Sequence, residues 1–478
     1  MKKWFFMWIL GRGMLPLAEL ALKTWISVTG YDANISTNNK KLYLGDDCYI
    51  YDDWNQVSDF SYDAIITSWV FSETHPFLNV VWKHNIPVYT RMQWLQLLID
   101  QFCETSINVL GSYGKSSTTT LLATMLQHAW RDPFVYIGAE TSLFPGGIQY
   151  GHGKIAVVET CEYQKAMLDT KPTYVLLTTL KENHTDCYPT MESIYDAFDT
   201  YFTQSSSSLR LLAICADDVE VDYFSKSSYA QYIITYGYEK PARWMIRSYK
   251  TMGRGMLFDV EDTQTSLCVT LYSPLPGIKN ALNTLWSYII LNALGIESDV
   301  CNESMKSFTG LNRRFEYKFE SDDLTIIDDM ARQPEQIEST LSSIRELYPE
   351  HCIVVMHGCR WSRSKRNIEK MAEIIRFADY HYIPSVWENG SDFGGAEDQD
   401  ADEKLLLAWE HNLSLYDSKI LLQSHGYSLQ KLYKHVKDTT NKKLIICSVG
   451  YDSYIPHFAK ELAFLHEYGI FITFTTRN

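Results

Sequence analysis

Hydrophobic and polar positions alternate in blocks along the chain. Short apolar runs bounded by glycine or acidic residues are followed by stretches with apolar positions three or four apart. The runs KWFFMWIL, YDAIITSW, NIPVYT, KIAVVET, TYVLLTTL, LRLLAICADD, LTIIDD, HCIVVMHG, DYHYIPSV and KLIICSVG predict strands, and LPLAELALKTW, LLATMLQHAW and PEQIESTLSSIREL predict helices. Near-continuous apolar strands alternating with helices belong to parallel sheets covered on both faces, so the fold class is α/β. The pattern divides into units at 1–104, 105–312 and 313–478, with the polar stretch 388–404 expected as a surface loop. At the amino terminus two lysines precede a short apolar run, as in a signal peptide. Arg12 follows at once and no small-residue cleavage site appears, which predicts a buried first strand instead.

One junction between these blocks carries chemistry. Residues 107–120 read INVLGSYGKSSTTT, an apolar strand ending in glycines and opening a helix. Such a turn presents backbone N–H groups and a positive helix end to a phosphate, and the lysine adds a full charge. Gly111, Ser112, Gly114, Lys115, Ser116 and Ser117 therefore form a candidate nucleotide-phosphate site. Lys115, expected on an exposed loop, would hold the β/γ-phosphates, and Ser116 would offer its hydroxyl to Mg²⁺. Only two residues separate the glycines where the commonest P-loop has four, and the plain alternative is a strand-to-helix turn with a solvated lysine. The further hydroxyl residues behind Lys115 favour the phosphate reading.

Composition narrows the partners. The chain has 478 residues, too many for one core, so two or three domains are expected. Hydrophobic residues make up 46% and charged residues 21%, as in a soluble globular protein. With 43 Lys+Arg against 58 Asp+Glu the net charge is −15, which argues against a nucleic-acid or membrane-surface binder. Ten scattered cysteines without a CxxC pair suggest neither a zinc ribbon nor a disulfide framework, and point to a reducing cytoplasm.

Glu159 ends the strand KIAVVE and His184 follows the strand YVLLTTL, so both are placed at strand carboxyl ends, where α/β sheets build their sites. A carboxylate and an imidazole there can ligate Mg²⁺ between ATP and a second substrate. Singly, each has a plain reading, as a helix-cap acid and a loop histidine. Later motifs divide similarly. The asparagines of KNALN are helix caps or nucleotide contacts, RRFEY is a solvated basic pair or a site, and Arg360 and Arg363 are surface arginines or a clamp for an amino-acid carboxylate.

In combination these segments resemble a family. GSYGKSSTTTLLATML, VVETCEYQKAML, TTLKENHTD, ITYGYE, GIKNALN, FTGLNRRFEY, IIDDMARQP and HGCRWSRS follow the order and spacing of the Mur ligases, in particular their alanine-adding and murein-peptide branches. VTGYDAN, IITSWV and PVYTR extend the likeness to the UDP-binding part. The resemblance implies a Rossmann-like domain for a UDP-sugar, a central P-loop ATPase domain and a Rossmann-like carboxy-terminal domain for an amino acid or peptide. It implies ATP-dependent amide formation through an acyl phosphate, in peptidoglycan biosynthesis, by a cytoplasmic monomer or homodimer. Lys115 and Ser116 would hold phosphates and Mg²⁺, Glu159 and His184 would bind Mg²⁺, and Asn280 and Asn283 would meet the nucleotide. Arg314 and Asp329 would reach ATP from the third domain.

Departures concern the acceptor. Where alanine-adding enzymes usually read DDYGHHP this chain reads DDMARQP, so Met330, Arg332 and Gln333 replace an aromatic and two histidines. Cys359 stands where a histidine is usual, the first glycine turn is shortened, and Thr179 replaces the asparagine of a TN pair. ATP chemistry is expected to be kept and the acceptor pocket altered, with Arg332 favouring an acidic or polar acceptor. Two other classes stay open: a carboxylate-amine ligase making a polyamide or specialised metabolite, and a nucleotide-binding protein without turnover.

Overall fold

The computed structural model describes residues 2–11, 13–35, 44, 48–67, 75–138, 141–184 and 186–357, and beyond these 359–360, 370, 373–374, 377–383, 386–387, 419–422, 436, 438, 440 and 442–449. Two compact units emerge. One holds residues 1–250, 257–273 and 281–309, and the other 251–256, 274–280 and 310–478.

The first unit opens with a five-stranded parallel sheet in the order β3-β2-β1-β4-β5. Its strands are β1 (Lys3–Met7), β2 (Ser27–Tyr31), β3 (Tyr49–Tyr51), β4 (Ala64–Thr67) and β5 (Val88–Thr90). The central strand β1 is buried on both faces, which is why KWFFM reads as an unbroken apolar run. Helices α1 (Leu15–Lys23), α2 (Pro76–Lys83) and α3 (Arg91–Phe102) connect the strands. Pro16 at the start of α1 and the Thr90–Gln93 capping box of α3 fix where two of them begin. Trp94 on α3 is fully buried, edge-on to Trp4 and Phe6 with ring centroids 5.3 and 5.6 Å away. Truncating it to alanine costs about 3–5 kcal/mol.

The same core continues into the second sheet of this unit through Phe134, Tyr136, Ile148, Ala156 and Val158. That sheet runs β15-β14-β13-β12-β11-β10-β6-β9-β7-β8 among the described residues. Its strands are β6 (Thr105–Leu110), β7 (Phe134–Tyr136), β8 (Ile148–Gln149), β9 (Ile155–Glu159), β10 (Tyr174–Leu177), β11 (Leu211–Cys215), β12 (Ile233–Gly237), β13 (Trp244–Met252), β14 (Gly255–Asp262) and β15 (Leu267–Ser273). From β7 to β13 the neighbours are parallel. Five helices accompany them: α4 (Lys115–His128), α5 (Met191–Ser205), α6 (Val221–Phe224), α7 (Ile278–Ala293) and α8 (Ser298–Lys306). Strands β12 to β15 extend the sheet beyond the strands read from apolar runs. In β13 only the first three residues are buried, so no such run marks it.

The second unit carries β16 (Glu316–Glu320), β17 (Leu324–Asp329), β18 (Cys352–His357), β19 (Cys359–Arg360), β20 (Tyr380–Ile383), β21 (Val386–Trp387), β22 (Lys419–Leu422) and β23 (Leu444–Val449), with helix α9 (Pro334–Leu347). Its main sheet runs β16-β17-β23-β18-β20-β22, parallel except for β16, and β19 pairs with β21. Helix α9 coincides with PEQIESTLSSIREL because Pro334 starts it and Gln333 with Gln336 forms a capping box. The polar stretch 388–404 lies outside the described residues.

Candidate active site

The turn after β6 is built around two glycines in left-handed conformations. Gly111 has φ +126° and Gly114 φ +82°. A Cβ at Gly111 would stand 2.1 Å from Thr178 Oγ1 and 2.8 Å from the Thr179 backbone, and one at Gly114 would stand 3.1 Å from Asn283 Oδ1. Strain favours glycine at both positions, and at Gly111 the adjoining backbone leaves no room for a Cβ either. Gly114 is the N-cap of α4 and brings no side chain to the first-turn N–H groups, which is the arrangement an anion occupies.

Thr179 does what its sequence context did not announce. Its carbonyl accepts from Ser112 N at 2.8 Å and its hydroxyl from Tyr113 N at 3.0 Å, while the Ser112 hydroxyl bonds the Lys181 backbone. The loop is thus fastened to the end of β10. Two of the hydroxyls further along α4 bond its own backbone. Thr119 and Thr120 bond the carbonyls of Lys115 and Ser116 four residues back, so they serve the helix rather than a phosphate. Ser116 and Ser117 are buried in the first turn of α4.

Lys115 is not on an exposed loop. Its side chain is 14% exposed, its ammonium donates to both Glu162 oxygens at 2.9 and 3.2 Å, and it also reaches the Gly111 carbonyl. Burial alone pushes the ammonium pKa down, but Glu162, with Cys161 and Glu159, outweighs it and leaves the pKa raised. The correction has a physical reason: folding brings an acid from 47 positions away over the lysine, and a local pattern carries no trace of it.

Register puts the remaining groups along one edge. Glu159 pairs across from Val109 and Leu177 from Leu110, so β6, β9 and β10 end together. Glu159 accepts from Gly138 N at 2.8 Å. His184 has φ +54°, its ring centroid is 4.6 Å from that of Tyr163 with the planes tilted by 47°, and its Nε2 lies 3.7 Å from Glu162 Oε1. Glu162 is therefore a close acidic neighbour of His184, and Asp186 also feels the His184 charge. Sequence reading missed Glu162, because it lies past the end of β9 where no periodicity gives its direction. Tyr163 in turn donates to Asp186 at 2.7 Å, and that bond lowers the Asp186 pKa. Arg91 was also missed: at the start of α3, it lies where a Cβ on Gly13 of the first glycine turn would fall.

Among the described residues no three His, Cys, Asp or Glu side chains converge as a metal cage. Mg²⁺ takes few protein ligands and draws the rest from phosphates and water, so a site for it needs no such cage; Ser116 at the start of α4 and Glu159 at the end of β9 carry oxygen donors of the kind it takes. Asn283 faces Gly114, while Asn280 donates to the Pro276 carbonyl at 2.7 Å.

Within the second unit, Asp329 accepts from Phe315 N and Ala331 N at 2.9 and 2.8 Å. Burial raises its pKa, opposed by the Arg314 charge. The neighbouring Asp328 is wholly buried and takes Arg313 Nε at 3.0 Å and Ser448 Oγ at 2.9 Å. Arg332 is exposed, and its backbone N–H donates to Gln336 Oε1 at 3.2 Å. The backbone of Arg360 belongs to β19, while its side chain and all of Arg363 lie outside the described residues.

Comparison with known proteins agrees with this architecture. Residues 5–103 match the Mur ligase family catalytic domain, 109–291 the Mur ligase middle domain and 313–401 the Mur ligase glutamate ligase domain. The chain is 30% identical over 388 residues to the UDP-N-acetylmuramate–L-alanine ligase of Clostridium tetani, covering 81% of this chain and 84% of that one. It is 29% identical over 391 residues to the enzyme of the same name from Chlorobaculum parvum, covering 80% and 82%. Among solved structures, UDP-N-acetylmuramate-alanine ligase from Thermotoga maritima superposes with a TM-score of 0.75 at 19% identity, over 98% of this chain and 100% of that one. A murein peptide ligase from Psychrobacter arcticus does so with a TM-score of 0.59 at 16% identity, over 97% and 98%. By its three matched domains and its 30% identity to a relative spanned over most of its length, the chain belongs to the Mur ligase family.

Proposed function

We propose that the protein is an ATP-dependent amide ligase that joins an amino acid or peptide to the carboxylate of a UDP-N-acetylmuramate-like donor through an acyl phosphate, in cytoplasmic peptidoglycan synthesis. The observation that carries this reading is the open amino end of α4 with Lys115 in its first turn, next to the strand-end acid Glu159. The relatives' names supply the substrates. Residues 1–104 bind the UDP-sugar, 105–312 bind ATP and 313–478 bind the acceptor.

The donor carboxylate and the γ-phosphate are both anionic, so the reaction needs positive charge fixed in advance. Gly111 and Gly114 shape the loop, Ser112 anchors it, and Lys115 with the N–H groups of Ser116 and Ser117 takes the phosphates. Ser116, Glu159 and His184 would hold Mg²⁺, which would supply further positive charge against the anionic substrates. Asn280, Asn283, Arg314 and Asp329 contact the nucleotide, and Arg360 and Arg363 hold the acceptor carboxylate. Arg332, exposed ahead of α9, reads an extra acidic or polar group on the acceptor.

The test is phosphate release from ATP with UDP-N-acetylmuramate and a panel of L-alanine, glycine, L-serine, L-aspartate, L-glutamate and a γ-D-glutamyl peptide, with products identified by mass spectrometry. Release that requires both donor and amine is expected. Nucleotide binding without such release would leave a binding protein, and a preference for L-alanine unchanged by Arg332→Ala would remove Arg332 from specificity.

A further inference from the structure

Glu162 is 3% exposed, and both of its carboxylate oxygens face the Lys115 ammonium. With the Gly111 carbonyl as its other acceptor, the ammonium is directed back into the protein. A phosphate arriving at α4 meets a lysine whose charge is already matched by a buried carboxylate. Two anions then compete for one ammonium, and repulsion between them is strong where water is scarce. The carboxylate has somewhere to go, because His184 Nε2 is 3.7 Å from Glu162 Oε1. The Tyr188 hydroxyl donates to the Glu162 carbonyl and pins the backbone, so only the side chain has to turn.

We propose that Glu162 is a positioning residue that holds Lys115 back until a nucleotide claims the ammonium, whereupon its carboxylate passes to His184. The inference rests on the phosphate-site reading above and adds an exchange of partners to it. In the free protein the pair keeps a buried charge compensated. In the nucleotide complex the same carboxylate orients the His184 ring through Nε2, as an outer carboxylate does for an imidazole that would hold a cation.

The exchange predicts an effect that damage to the fold does not produce. With divalent cations chelated, Glu162→Gln should bind ADP about tenfold more tightly than the natural protein, because the competing anion is gone. Its kcat with Mg²⁺ should fall about tenfold or more, because His184 loses its orienting carboxylate. Isothermal titration with ADP and steady-state phosphate release read the two effects separately. Glu162→Asp, with the carboxylate drawn back by one methylene, should also tighten ADP binding, by less, while recovering part of kcat. It is the variant to use where Glu162→Gln fails to fold. Unchanged or weakened ADP binding in a folded variant overturns the exchange. Lys115→Ala keeps the two claims apart: ADP binding that survives this substitution sinks the phosphate-site reading, whatever Glu162 does.

Discussion

Two buried cation–acid pairs, one in each unit, look alike in burial and differ in how they are held. The side chains of Lys115 and Glu162 are 14% and 4% exposed, and those of Arg313 and Asp328 are 16% and 0% exposed. In the first pair both carboxylate oxygens lean on one lysine, with an imidazole 3.7 Å away. In the second the two oxygens have separate donors, a guanidinium and the Ser448 hydroxyl from the neighbouring strand β23. Lysine is a point charge that can be re-aimed, whereas an arginine fork and a hydroxyl hold a carboxylate in place. Burial by itself thus does not tell a charge that can be re-aimed from one that is fixed; the arrangement of its partners does.

The largest expected effect falls on the Lys115–Glu162 pair. Lys115→Ala should lower ligation by about a thousandfold or more, since charge on the transferring phosphate is stabilised mainly electrostatically. It should also lower stability by about 3 kcal/mol, because Glu162 is left buried without its cation. Phosphate release and denaturant unfolding separate the two losses. Near-normal turnover in the folded variant would remove Lys115 from the phosphate site.

Asp328→Ala provides the counterpart. Breaking a fully buried pair costs about 3–5 kcal/mol, so a large loss in denaturant midpoint is expected. A midpoint that stays put would mean that Arg313 and Ser448 do not anchor the edge of β17, and the contrast between the two pairs would collapse.

The sequence made one side of this comparison readable and hid the other. The strand-turn-helix at 105–128 is legible because Gly111 and Gly114 occupy conformations other residues rarely adopt, and α9 because Pro334 and a regular apolar face mark it. Glu162 is illegible for a physical reason. It lies where β9 has ended and the chain passes into a kinked turn with Gln164 and Lys165 in left-handed conformations, so no periodicity points to its direction. Its partner is 47 residues away. Asp328 sits within the apolar strand LTIIDD, which predicts the strand but not that Arg313 and Ser448 meet there. Periodicity reports the face a side chain takes; charge pairing across strands depends on register.

A smaller effect should attend the metal-binding groups. Glu159→Gln and His184→Ala are each expected to raise the Mg²⁺ concentration for half-maximal activity by about tenfold. Thermal stability without nucleotide should change little, since His184 is partly exposed and Glu159 keeps an acceptor oxygen for Gly138 in the variant. An unchanged Mg²⁺ requirement in both would return Glu159 to bracing the Gly138 turn and His184 to a loop position.

The smallest effect is one of sign. Asp262 at the end of β14 is buried, and although burial raises its pKa, bonds from Arg243, Gln264 N and Thr265 outweigh this and leave it below the usual 3.8. Its contribution to stability is present above pH 3.8 and is lost as pH falls through the lower folded value. Asp329 is shifted the other way by burial, so its contribution is present below pH 3.8 and is lost as pH rises through the higher folded value. Relative to Asp262→Asn, the natural protein should therefore lose its advantage as pH drops below about 4. Relative to Asp329→Asn, it should gain stability earlier in the descent, as pH falls from the raised folded value towards about 4, and change little below that. Unfolding midpoints of the natural protein and both variants, measured at intervals from neutral pH to pH near 3, give the two differences. Slopes of the same sign would mean that Arg314 and the two backbone N–H groups hold Asp329 ionised as firmly as Arg243 holds Asp262, making burial a minor influence at that strand end.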